Sequence, residues 1–414
     1  MKSLSQSSSQ NWLIIFSLIF AGEMIFSLPF HVPRFFRPTL LEVFQLSNTG
    51  LGDAFAVYGI TAMLSYFPGG VIADYFSARR LMTFSLVGTA AGGVYFANIP
   101  EGHNLYFLYG YWGITSIFLF WAGMIKATRD WGREYQGRAF GLLDGGRGLV
   151  AALVSSLAVV IFADILQEEA AAGVAQKAEA LGSVIYLYTV STLIAAIAIW
   201  FFIPEKAPSL SKEKPWNNAT AALKMPQVWL ISLIVICAYC GFKGLDNYGL
   251  YAVEVLGMDR VEAATLSSFG AYLRPVGAIG AGLLADRFGG SHTIKWCFGF
   301  MVLVYAGWAF LWPKEILMLL AMANMAISFL AVYGLRGVYF ALVDESRVMP
   351  HLTGTAVGVI SLVGYTPDVF FGAVTGRILD ASPGESGFQN YFIFLTGVSV
   401  LGLITAVLLR RKNI

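Results

Sequence analysis

Apolar residues in this chain come in long runs, broken by short stretches that are polar or carry glycine and proline. A membrane-crossing helix takes about 20 mostly apolar residues. Read this way, the runs predict helices over 12–37, 50–73, 81–99, 105–131, 137–166 and 183–204. Six more follow, over 226–252, 261–285, 294–312, 315–342, 353–379 and 389–409. Between the sets lies PEKAPSLSKEKPWNNAT (Pro204 to Thr220), whose lysines, serines and prolines suit a water-exposed linker. The pattern predicts an all-α polytopic membrane protein with twelve transmembrane helices in two six-helix bundles. Residues 1–204 form one half, 205–225 a cytoplasmic linker and 226–414 the other half. The first run contains Glu23 and shows no small-x-small cleavage site, so it reads as a retained span rather than a signal peptide.

Composition supports the same class. Of 414 residues 57% are hydrophobic and 13% charged, about half the charged share of a soluble domain. The net charge of +2 carries no argument for nucleic acid; the placement of the charges does carry one, for orientation. With both termini in the cytoplasm, cytoplasmic segments hold sixteen lysines and arginines, outer segments six and the spans five. The excess of basic residues on one side predicts both termini inside. Cys237, Cys240 and Cys297 all lie in apolar runs and read as small packing residues. No Gly-rich phosphate loop, metal-ligand cluster or nucleophile–base arrangement is visible, and the GGRG at 145–148 lies inside a span. The expectation is no cofactor, no enzymatic activity and a monomer.

One short pattern occurs twice. GGVIADYFSARR (Gly69 to Arg80) closes the second predicted helix and GAGLLADRFGG (Gly280 to Gly290) closes the eighth. GRAFG at 137–141 and GTAVG at 354–358 likewise open the fifth and eleventh. Two repeated halves are a known transporter plan. Gly70 and Gly282 would let helices approach closely. Asp74 and Asp286 would accept from helix N-terminal amides or a neighbouring arginine such as Arg79 or Arg287.

On these motifs and the twelve spans the chain resembles the major facilitator superfamily over essentially its whole length. The second motif copy keeps Gly282, Leu284, Ala285, Asp286, Arg287 and Gly289, whereas the first has Tyr75 and Ser77 where the pattern has Arg and Gly. GTAVGVISLVGYTPD, Gly354 to Asp368, is similar to span 11 of organophosphate and nitrate/nitrite-type carriers. The family's drug-antiporter signature in span 5 is missing. The resemblance implies alternating access between the halves, a central cavity lined by spans 1, 4, 7 and 10, and a gate at the repeated motif.

Ionisable residues inside spans are costly and usually mark a pathway. They are Glu23, Lys126, Asp144, Arg147, Lys243, Asp246, Arg274, Arg336 and Asp368. Asp144 with Arg147, and Lys243 with Asp246, are spaced i,i+3 and lie on one helical face, where they neutralise each other or face a substrate. Lys126, near the end of its span, either snorkels to the interface or lines the cavity. Arg274 and Arg336 have no acid at i±3 or i±4, which leaves a ligand or another helix. Arg336 is flanked by Tyr333 and Tyr339, an arrangement suited to a carboxylate or phosphate oxygen.

Expected substrate-binding residues are Arg336, Arg274, Lys243, Lys126, Arg147, Tyr339 and Tyr365. Glu23, in apolar FAGEMIF, is the leading proton-coupling candidate, with Asp246 and Asp368 after it; its alternative is a structural partner of Lys126 or Arg147. His31 reads as an interfacial residue near a cavity mouth. The expectation is a secondary active transporter for a small anionic or zwitterionic organic solute, with protons or another ion as the candidate coupling ion. Its place is a bacterial cytoplasmic membrane. Efflux of an amphipathic compound and a non-transporting sensor are the alternatives.

Overall fold

The computed structural model describes residues 8–132, 136–166, 172–205, 221–310, 318–346 and 352–413, and among them every regular element is helical. Most of the predicted linker and the side chain of Asp74 lie outside the described residues. Among the described residues nine helices are long and apolar enough to cross a membrane, ten if the bent pair Trp12–Met24 and Ser27–Phe35 counts as one span. Leu64, Phe107, Phe201, Leu303 and Leu319 project outward along them, a surface that lipid accepts and water does not. The molecule is an all-α polytopic membrane protein.

Where the apolar runs predict single helices, several are broken. The first run ends its α-helix at Met24, passes through a π-helical turn Ser27–His31 around Pro29, and resumes at Val32–Phe35. The seventh comprises Pro226–Gly244, a 3-10 turn Leu245–Asn247 and Tyr248–Glu254. The eleventh is split into Thr353–Gly364 and Pro367–Ala381. Pro29 and Pro367 lack the N–H that a continuous helix needs. Hydropathy sees only composition and passes over such breaks. It also underestimates the sixth helix, Val174–Phe202, whose first turns are polar.

The chain divides into two compact units, one built from stretches 1–45, 60–211 and 260–271, the other from 46–59, 212–259 and 272–414. These units exchange two short stretches relative to the sequence halves. In the first unit, helix Ala78–Ala97 and helix Ser8–Met24 pack along helix Val174–Phe202, around Leu18, Met24, Leu86, Phe120 and Ile199. In the second, helix Gly290–Phe310 lies along Glu385–Asn413, with Trp308, Tyr251 and Phe392 in ring contact.

Also in the second unit, the start of helix Asn48–Tyr75 meets Pro367–Ala381 at backbone distance: a Cβ on Gly52 would overlap the carbonyl of Gly372. Asp380 caps the incoming helix, accepting from Asn48 N at 3.1 Å and Thr49 N at 2.7 Å. Arg377 adds a two-pronged pair to Asp53 at 2.7 and 3.1 Å.

In the first unit, Glu42 on the short helix Arg37–Val43 bridges Lys177 at 2.8 Å and Arg260 at 2.6 Å. Burial raises its pKa, but the Lys177 hydrogen bond and the charges of Arg260 and Lys177 outweigh this and hold the carboxyl below its ordinary value of 4.5. A carboxyl lowered by folding stabilises the fold above its unfolded pKa, and that contribution is lost as pH falls through the folded value. Thermal unfolding between about pH 3 and 7 will therefore fall less steeply toward acid in Glu42→Gln than in the parent. Each partly exposed pair contributes no more than about 1 kcal/mol, so equal slopes would mean the bridge is silent.

Candidate functional site

Two buried ionic clusters stand out, one in each unit. In the second unit the break after Gly244 is a constructed feature: Tyr391 Oη donates to the Gly244 carbonyl at 2.7 Å, and Asn247 Nδ2 donates to Tyr391 Oη at 3.2 Å. A carbonyl released from the helical ladder is thereby satisfied within the protein, as membrane depth demands. Tyr239, Lys243 and Asp246 follow at i, i+4 and i+7, one face of the helix and its continuation. Lys243 and Asp246 are each only 3% exposed.

The other half of the cluster comes from the break before Pro367. Proline at the first helical position suits its fixed φ, and Asp368 sits in the first turn, where the helix dipole favours negative charge. Lys243 Nζ lies 3.4 Å from Asp368 and 3.5 Å from Asp246. Tyr239 Oη reaches both Asp368 oxygens, at 3.1 and 3.0 Å. The Arg336 guanidinium stands 3.9 Å from the centroid of the Phe242 ring and 5.8 Å from that of Tyr239, and Lys243 faces Phe55 at 4.9 Å.

Tyr365 packs edge-on to Tyr239 and shares a 3.2 Å hydrogen bond with Tyr339. Two cations and two carboxylates are thus walled by aromatic rings. Of the tyrosines expected to flank Arg336, Tyr333 packs on Phe242 and Phe329, and Tyr339 bonds to Tyr365. Sequence reading missed Tyr239 and Phe242; one turn of helical spacing from Lys243 and from Asp246 was the available signal. Arg274 is buried, 6% exposed, in helix Arg260–Phe288, which packs against helix Met318–Val338 one turn further on, at Gly277.

The first-unit cluster centres on Glu23. Its Oε2 accepts from Arg147 Nε at 2.9 Å and its Oε1 lies 3.1 Å from His31 Nε2. Arg147 also faces the Phe26 ring at 5.6 Å. Glu23 is therefore ion-paired rather than set among apolar groups alone, and Arg147 pairs with another helix as well as lying a turn from Asp144. Lys126 belongs to neither cluster: its Nζ donates to the carbonyl of Ala73 at 3.0 Å, a basic group at a helix C-terminus. The interfacial reading of His31 fails, since its ring is buried at 3% exposure.

The repeated motif is built otherwise than its letters suggest. Among the described residues a Cβ on Gly70 or Gly282 would meet open space, so neither provides a close approach; Gly69 does, where a Cβ would lie 2.6 Å from the Phe118 carbonyl oxygen. Asp286 is exposed, and the amides that start helix Gly290–Phe310 go instead to Glu345. That carboxylate accepts from Gly290 N, from Ser291 N at 3.0 Å and from Ser291 Oγ at 2.6 Å. Gly289, with φ +88°, makes the left-handed turn leading into this helix.

The first copy has Ser77 in the equivalent place, an N-cap accepting from Arg80 N at 3.4 Å. Arg79 and Arg80 both pair with Glu205, and Arg287 stacks on Phe288. Glu345→Ala is expected to lower stability by about 1 kcal/mol through loss of the cap. Thermal unfolding in detergent measures this, and a change no larger than that of Asp286→Ala would assign the cap no weight.

Among the described residues no group of three His, Cys, Asp or Glu is placed to hold a metal, and the three cysteines are free.

The chain is 26% identical to the inner membrane protein YihN of Escherichia coli (strain K12), across 98% of this chain and 96% of that protein. The probable nitrate/nitrite antiporter NarK1 of Thermus thermophilus is 28% identical over 70% of this chain and 64% of its own length. A mutant of the nucleoside transporter NupG has the same fold, with a TM-score of 0.75 at 13% identity, covering 97% of this chain and 99% of that one. The Major Facilitator Superfamily model matches residues 12–371, and the chain belongs to that superfamily of membrane transporters.

Proposed function

We propose that this transporter moves a small anionic or zwitterionic organic solute by alternating access, with Arg336 as anchor for the negative group. The observation that carries this reading is the second-unit cluster, where Arg336 and Lys243 share an aromatic-walled site with Asp246 and Asp368. A site with both signs of charge can seat both ends of a zwitterion, or exchange its own carboxylate for that of a ligand. Buried charge of this kind is costly to keep in a membrane and would serve an apolar cargo poorly.

Helices Ala78–Ala97 and Arg260–Phe288, 20 and 29 residues long, are also long enough to span, although glycines, hydroxyls and arginines dilute their apolar character. Counted as spans, they complete a twelve-helix layout with halves 1–204 and 226–414 around the linker 205–225. The basic residues place both termini in the cytoplasm, and the likeness to YihN supports a bacterial inner membrane. Glu23 and Asp368 are the acids best placed to couple transport to protons. The Asp74 segment, where Arg79 is held by Glu205, and the Asp286 segment are each candidates for a gating role.

Binding to the detergent-solubilised protein tests the reading. Amino acids, dipeptides, carboxylates and phosphate esters are screened by thermal shift, because a ligand of the folded state raises its stability. Stabilisation by an anion or zwitterion, lost in Arg336→Ala, supports it. Stabilisation by apolar compounds alone would overturn it in favour of amphipathic efflux.

A further inference from the structure

Glu23 and His31 are eight residues apart, which on an unbroken helix is about 12 Å along the axis. Here they are within hydrogen-bond distance, where the segments Trp12–Met24 and Ser27–Phe35 bend by 43° at Ile25–Phe26, just ahead of the π-helical turn Ser27–His31. Neighbouring helices stabilise that break. Tyr109 Oη donates to the Pro29 carbonyl at 3.1 Å, and Thr192 Oγ1 donates to the Met24 carbonyl at 3.3 Å. Ser27 Oγ also reaches the Met24 carbonyl, at 2.7 Å. Such π-helical turns inside helices often accompany functional sites.

Glu23 and His31 are each 3% exposed, and several described side chains surround them. Helix Gln136–Ile165 offers Arg147 and, one turn earlier, Asp144. Helix Val174–Phe202 offers the buried Tyr188, whose ring meets the imidazole edge-on at 5.9 Å. Phe35 covers another side at 5.6 Å. Helix Ala78–Ala97 reaches the turn with an uncharged contact, Gly93 against Leu28.

We propose that His31 and Glu23 act as one proton-carrying couple, with Arg147 as its resident counter-charge. While the imidazole is neutral, its Nε2–H donates to Glu23, and the charges of Glu23 and Arg147 cancel. A proton taken from water binds at Nδ1, the basic nitrogen of that tautomer. The three groups then carry one net positive charge, the sign that draws an organic anion. The proposal rests on the transport reading, to which it adds His31 as a residue that carries the proton.

The test is an NMR titration from about pH 5 to 9 of the full chain in detergent, with [13Cε1]-histidine label and no solute added. His31→Gln identifies its signal among those of the four histidines. The expected result is a His31 transition inside that range in the parent. In Glu23→Gln its midpoint moves down by about one pH unit or more, because the carboxylate that favours the imidazolium is gone. A His31 signal that stays flat in the parent overturns the couple without need of any variant, as does an unmoved midpoint in Glu23→Gln. Should Glu23→Gln fail to fold, Arg147→Gln reports the same coupling from the opposite side: removing the cation raises the midpoint, and an unmoved one overturns the proposal. Because no solute is present, a silent His31 leaves the Arg336 binding test untouched.

Discussion

Arg336→Ala is expected to weaken or abolish binding of any anion or zwitterion that the screen identifies, and Arg336→Lys, which retains the charge, is expected to bind more weakly than the parent. Truncating one partner of a desolvated charge pair costs roughly 2–5 kcal/mol, which is about 30-fold to several thousand-fold in affinity. The lysine variant falls between alanine and parent for two reasons. Its ammonium lacks the planar two-pronged donor geometry, and it loses the face-on contact with Phe242 at 3.9 Å. Calorimetry with a solute found by the thermal-shift screen measures the loss, with protein yield as the control for folding. If both variants bind like the parent, Arg336 serves packing between helices Met318–Val338 and Pro226–Gly244. The substrate's anchor must then be sought at Lys243 or Arg274.

Lys243→Met carries the largest expected effect on stability. The amine lies between two carboxylates, 3.5 Å from Asp246 and 3.4 Å from Asp368. Removing one member of a buried ionic group leaves uncompensated charge and costs about 3–5 kcal/mol. The diagnostic comparison adds Asp246→Asn and Asp368→Asn to Lys243→Met. With the charges gone from all three positions most of the lost stability returns, because the penalty comes from unpaired charge rather than from missing contacts. Thermal unfolding of the four-way set decides this. A single Lys243→Met variant within about 1 kcal/mol of the parent would show that the cluster is hydrated and loosely held.

The class of the molecule was legible because the bilayer imposes a simple requirement on length and polarity. Asn48–Tyr75, Gly290–Phe310 and Glu385–Asn413 fall close to predicted helices for that reason. The short list of ionisable residues was legible on the same ground, since few charges are tolerated at depth. Lys243 with Asp246 could be read from spacing alone, because i,i+3 neighbours on a helix meet whatever surrounds them.

Partners from distant parts of the chain were not legible. Asp368 meets Tyr239 across 129 residues and Arg147 meets Glu23 across 124, and no local periodicity encodes such meetings. The repeated motif shows the same limit: its Asp286 is exposed while Glu345, 55 residues beyond Gly290, holds the helix start.

By itself the sequence determined the solvent, the helical class and which costly charges the membrane must accommodate, since each follows from composition over a window of about 20 residues. The tertiary structure alone decided how those charges are shared. The breaks after Met24, after Gly244 and before Pro367 interrupt helices in ways that hydropathy does not register. A bend of 43° is what turns His31 from an expected interfacial residue into the buried partner of Glu23. Direct pairing requires atoms within about 3 Å, a condition on three-dimensional packing that no one-dimensional pattern can state.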